Sequence, residues 1–154
     1  MDELDRILRA ESEQLELLLC RLTALRALVA GGDAPLVPRA VHDVEEAAKG
    51  VDDLEEHRRQ VLAELGYGRI SLAEIVDRAE PGYQELMSGH RDRLVNLERR
   101  LRQTSRGVAI AAQRSLERVD VARVRGAAPD TPGAAYGRSS ATLDAQGRML
   151  QGAL

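Results

Sequence analysis

The 154-residue chain has no phenylalanine and no tryptophan, and its aromatic content is three tyrosines. An α/β enzyme of this length would normally fill its core with several large aromatics. Their absence favours thin helix-on-helix packing through Leu, Val and Ala. There is one cysteine, Cys20. That excludes an intramolecular disulfide and fits a reducing compartment, with Cys20 expected as a partly buried small side chain. No apolar run approaches the ~18 residues that a membrane span needs. The N-terminus, Met1-Asp2-Glu3, is acidic and shows none of the basic and apolar regions of a signal peptide. The net charge of −3 is mild, so nothing global pulls the protein toward nucleic acid or a membrane. These absences predict a cytoplasmic, mostly helical protein without stable membrane insertion.

What is present is helical periodicity. Residues 82–125 hold no proline and one glycine well inside, Gly107. Met87, His90, Leu94, Leu97, Leu101, Thr104, Val108, Ala111 and Ser115 recur there in alternating steps of three and four, the seam of a coiled-coil-like helix. At 1.5 Å per residue the stretch forms a rod of roughly 65 Å, expected to be the spine against which the other segments lie. Residues 2–30 carry a similar seam, Leu4, Leu8, Glu11, Leu15, Leu18, Leu22, Leu25 and Val29. Ile7, Leu17, Leu19 and Leu28 widen its stripe, so this helix should touch more than one partner. Its first turn is acidic, Arg26 is expected in its last turn, and Gly31-Gly32 should stop it. A second helix is predicted from Pro35 or Pro38, with Asp33 a possible cap of the earlier start, ending at Gly66-Tyr67-Gly68. Ser71-Leu72-Ala73-Glu74 reads as a capping box opening a short helix. Residues 126–154 hold five of the thirteen glycines and show little periodicity. The division is a helical bundle domain over 1–126 and a flexible C-terminal tail over 127–154.

Charge divides by helix. Residues 33–65 hold nine acids and four bases, whereas 82–125 hold ten arginines and five acids. Unlike charges favour these two helices lying side by side. Nucleic acid is not expected as a partner, because no aromatic follows Tyr83 in the long helix to stack on bases. Asp53 and His57 share a helix face, but the paired Glu-x-x-His motifs of a bundle metal site are missing, and a solvated face is the simpler account. No phosphate loop, dinucleotide fingerprint or nucleophile turn is present. No catalytic, cofactor-binding or metal residue is expected, and the protein is predicted not to be an enzyme. Beyond Thr104 the seam becomes small and shallow: Val108, Ala111, Ala112, Leu116 and Val119. Such a groove suits an amphipathic helix from a partner. In the tail, Tyr136 has little core role, and Met149 and Leu150 are anchors suited to folding on binding.

In its order of parts the chain resembles the FlgN family of flagellar export chaperones. The likeness rests on a Leu-rich first helix (Leu15 to Val29), a Gly32-Asp33 break, a charged second helix ending Leu65-Gly66, the Ser71-to-Glu74 segment, a long third helix, and a tail element of Thr142, Leu143, Asp144, Gly147 and Arg148. The resemblance implies a protein that binds hook-associated junction proteins by their C-terminal helices, keeps them unpolymerised, and delivers them to the export gate of the flagellar type III secretion apparatus. It points to the far half of the long helix and the tail as the binding region. The expected fold is all-α: an elongated antiparallel helical hairpin or three-helix coiled-coil-like bundle with one short extra helix. Two other functions fit the same residues, a structural coiled-coil scaffold and a chaperone for another type III secretion substrate.

Overall fold

A computed structural model describes the backbone of residues 2–68 and 70–124 and side chains as far as residue 121. It is an all-α bundle of three long helices and one short one: α1 (Asp2–Gly31), α2 (Val37–Glu64), α3 (Leu72–Arg78) and α4 (Pro81–Val124), with a 3-10 turn over Ala34–Leu36. The expected tail, with Tyr136, Leu143, Asp144, Gly147, Arg148, Met149 and Leu150, lies outside the described residues.

The helix boundaries follow from local chemistry. Asp2, Glu3 and Asp5 place negative charge on the α1 N-terminus. At its other end Gly32 takes a φ of 81°, and the N–H groups of Gly32 and Asp33 donate to the Leu28 carbonyl at 3.0 and 3.1 Å. Helix α2 closes in the same way on Gly66. The Tyr67 N–H donates to Leu62 O at 2.7 Å and the Gly66 N–H to Ala63 O at 3.0 Å, the paired bonds of a Schellman motif. Pro35 sits in the 3-10 turn and Pro38 in the first turn of α2; the Asp33 side chain makes no cap hydrogen bond. Ser71 and Glu74 form the full reciprocal capping box at the start of α3. Pro81 opens α4, where its missing N–H costs no helical bond.

Side-chain pairs fix the topology. Glu11 meets Arg58, Gln14 meets Ala47 and Arg21 meets Asp43, so α1 and α2 form an antiparallel hairpin. Asp2 meets Tyr83, Asp5 meets His90 and Val29 meets Ser115, so α4 runs parallel to α1. Helix α3 packs on α4. The central element is α1, which packs against both α2 and α4, whereas α2 and α4 meet only marginally. The longest helix is therefore not the spine that its length suggested. The broad apolar stripe of α1 explains the exchange, because it offers two flanks: Ile7 and Leu19 are buried beside the seam residues, and Leu28 packs on the core.

One apolar cluster joins all four helices. It includes Leu4, Leu8, Leu22 and Leu25 of α1, Val37, Val44 and Val51 of α2, Ile75 of α3, and Met87, Leu94, Leu101 and Val108 of α4. Gly50 lets α2 approach α1. A Cβ there would stand 2.3 Å from the Gln14 amide nitrogen, which donates to the Ala47 carbonyl at 3.2 Å.

Three further expectations change. The opposite net charges of α2 and α4 do not bring those helices together. Their charged residues pair instead with the intervening helix, as Arg21–Asp43 at 3.8 Å and Glu16–Arg93 at 2.9 Å show. Arg26 lies outside the last turn of α1, because the helix continues to Gly31. Cys20 is exposed, since it follows Leu19 onto the side of α1 away from the core.

Candidate partner-docking surfaces

Of the polar residues in the seams, Glu11, His90 and Ser115 are buried and held, while Thr104 is half-buried. Glu11 and Arg58 are 5% and 7% exposed, and Arg58 Nε stands 3.4 Å from Glu11 Oε2. Burial pushes the Glu11 carboxyl above its ordinary value of 4.5; Arg58 opposes that shift and Glu55 adds to it. His90 Nε2 lies 2.7 Å from Asp5 Oδ1. Hydrogen bonds from Arg9 and then from His90 hold the Asp5 carboxyl below its usual 3.8. Ser115 Oγ donates to the Val29 carbonyl at 3.0 Å, and Arg118 reaches both Ser115 Oγ at 3.0 Å and the Ala30 carbonyl at 3.5 Å. Two α4 side chains thus satisfy carbonyls that the end of α1 leaves open. These contacts set the register of α1 against its neighbours. The seam is covered at His90 and at Ser115, which are both buried.

The far half of α4 is divided. Val108, expected to line the docking groove, is 2% exposed and belongs to the core. Ala111 and Ala112 are half-buried and pack against that core. Leu116 and Val119 are also half-buried. The reason is register. Parallel packing carries α1 alongside α4 as far as Ser115 and Arg118, so the small residues before that point already have a partner. Beyond it α4 continues to Val124 without α1 beside it. Around the end of α1, Ala30, Ala111, Arg114, Glu117, Arg118 and Val121 line an open groove of about 570 Å³. Val121 is 49% exposed. Of the residues expected here, only Ala111 lines this groove. Arg114, Glu117 and Val121 were missed because they stand off the seam, although an apolar residue such as Val121 off the seam was itself a usable signal.

A second depression, of about 750 Å³, lies nearer the middle of α4 between Val95 and Ile110. Arg26, Glu98, Arg99, Arg102 and Arg106 are among its lining residues. Glu98 is buried and paired with Arg102 one turn on. Gly107 makes the approach of Arg26 possible. A Cβ at that position would lie 3.1 Å from Arg26 Nε and 3.2 Å from its Cδ and Cζ.

Among the described residues no group of three or more His, Cys, Asp or Glu side chains could hold a metal ion. His57, the candidate beside Asp53, stands 3.9 Å from Glu3 instead. No helix of the described residues is long and apolar enough to cross a membrane. Both depressions on α4 are lined by apolar side chains together with arginines. Compared with protein-family models, with curated proteins and with solved structures, the chain finds no match.

Proposed function

We propose that this protein is an export chaperone of the FlgN kind. It binds a C-terminal amphipathic helix of a hook-associated junction protein and presents it to the flagellar type III secretion apparatus. The observation that carries this reading is the overhang of α4. An open groove lies at the last contacts with α1, at Ala30 and Arg118, and past them Val121 is 49% exposed. A substrate helix laid in this groove would bury Ala111 and Val121. Val108 is not part of the contact; Ala111 and Val121 carry it, with Arg114 and Arg118 at the rim. The overhang is already helical as far as Val124, which lowers the ordering cost of binding.

Calorimetry with the C-terminal helical fragment of a junction protein tests the reading. Micromolar or tighter binding is expected, and Val121→Asp or deletion of residues 126–154 should weaken it at least tenfold. Absence of binding, or binding unchanged by both alterations, overturns it.

A further inference from the structure

The depression at the middle of α4 shares no lining residue with the far-end groove and serves a different ligand chemistry. Of the four arginines that line it, Arg102 has a carboxylate partner, Glu98. Arg26, Arg99 and Arg106 have none within ion-pair distance among the described residues. The single carboxylate in the depression, Glu98, is buried and already engaged by Arg102. Three guanidinium groups are thus gathered on one surface without counter-charge.

Arg26 is also held in place. It crosses from α1 onto the α4 backbone at Gly107, where any larger residue would press on its stem. A glycine in the interior of a 44-residue helix weakens that helix, so its presence here has a physical reason in the seat it leaves for Arg26. Val95, 38% exposed, and Ile110, 53% exposed, flank the arginines at either end. They stand roughly 22 Å apart along the helix, which is about four turns. Apolar ends around a cationic middle match a helix that carries leucine-like residues on one stripe and carboxylates beside it.

We infer that this face of α4 docks an acidic amphipathic helix of another protein, whose carboxylates pair with Arg26, Arg99 and Arg106 while its apolar stripe covers Val95 and Ile110. A second copy of this chain fits less well. Its acidic helix, α2, exposes Glu45, Glu46, Asp52 and Asp53 but has no large apolar side chain among them. Nucleic acid fits less well too, because the surface offers aliphatic side chains where stacking aromatics would be needed.

The test uses fluorescence anisotropy on the full chain with three labelled probes: an 18-residue Leu/Glu amphipathic helical peptide, its twin with every Glu replaced by Gln, and a dT20 oligonucleotide. The acidic peptide should bind at least about tenfold tighter than its twin, and 0.5 M salt should erase most of that margin. Arg99→Gln with Arg106→Gln should weaken the acidic peptide about tenfold while circular dichroism stays unchanged. Arg26→Gln should also weaken it severalfold. Equal binding of acidic peptide and twin overturns the inference. So does acidic-peptide binding untouched by the double arginine variant, or tighter binding of dT20 than of the peptide. A salt-sensitive dimer by light scattering that the double variant abolishes assigns the face to self-association and also overturns it. Binding of the junction-protein fragment at Val121 is read separately, because Arg99 and Arg106 lie outside that groove.

Discussion

Removing Glu11 alone should destabilise the protein, whereas replacing Glu11 and Arg58 together should not. The two groups are 5% and 7% exposed and 3.4 Å apart. At an effective dielectric constant of about 20 their attraction is about 5 kcal/mol. Against it stands a desolvation penalty of several kcal/mol for each ion. The raised pKa of Glu11 says which prevails at that carboxyl: burial outweighs the pull of Arg58. Glu11→Ala removes the carboxylate from beside Arg58 and leaves Glu55, at 3.7 Å and half-buried, as a weaker substitute. A loss of about 2–4 kcal/mol is expected. Glu11→Leu with Arg58→Met keeps comparable volume and removes both buried charges, so it should fall between neutral and about 3 kcal/mol more stable. Urea denaturation followed by far-ultraviolet circular dichroism measures both, since the chain has no tryptophan to report. The pH dependence has a definite sign. A carboxyl raised in the folded state favours folding most below its unfolded pKa of about 4.5, and that contribution is lost as pH rises through the folded value. The advantage of the double variant over wild type should therefore grow from pH 4 to pH 7. A loss below about 1 kcal/mol for Glu11→Ala, or a double variant as unstable as the single one, would refute the argument.

The other predictions concern packing and the second buried contact. Leu101→Ala, at a side chain 1% exposed in the shared cluster, should cost about 2–5 kcal/mol in the same urea assay. Gly50→Ala gains about 1 kcal/mol of helix propensity but drives Gln14 off the Ala47 carbonyl, so alone it should change stability by less than about 1 kcal/mol. Adding Gln14→Ala removes the obstruction, and thermal melts should then show Gly50→Ala stabilising when compared within the Gln14→Ala background. Asp5→Asn should lower stability near neutral pH. Because the Asp5 carboxyl sits below 3.8 in the folded state, its contribution is present above that value and lost as pH falls through the folded pKa, so variant and wild type should converge in acid.

Much of the fold could be read from residue spacing because a helix seam is a local property. The steps of three and four through Leu4, Leu8, Leu15, Leu22 and Val29, and through Met87, Leu94, Leu101 and Val108, name residues that are buried. The helix ends were equally legible at Gly32, Gly66 and the Ser71–Glu74 box, because turn and cap chemistry is decided within a few residues. What covers each seam was not legible. A stripe states that a face is buried and not which helix buries it, so α4 looked like the spine on length alone while α1 holds the centre. Net charge per helix failed for the same reason: an ion pair needs two particular side chains at one level. Glu16 reaches Arg93 across the α1–α4 boundary regardless of the sum on either helix.

The same limit explains why the expected docking groove moved. Side-chain size changes near Thr104, but coverage ends near Arg118, and the distance between them is set by the parallel register of α1 and α4. That register depends on pairs such as Asp5–His90 and Val29–Ser115, each joining residues more than eighty positions apart. No seam pattern in either helix contains it. Once register is known, the partition of α4 follows. Residues up to Ser115 have α1 beside them, so Val108 is core. Those past Arg118 do not, so Val121 is surface. Arg26 becomes intelligible at the same step, because only this register brings it over Gly107. A one-turn shift of α4 along α1 would move Gly107 by 5.4 Å and place a bulkier residue under Arg26. The glycine and the arginine are therefore evidence about register as much as about binding. Their coupling is measurable: in a Gly107→Ala, Arg26→Ala double-mutant cycle the alanine at 107 should be more favourable without the Arg26 stem than with it. Strict additivity would mean that Arg26 is not seated there.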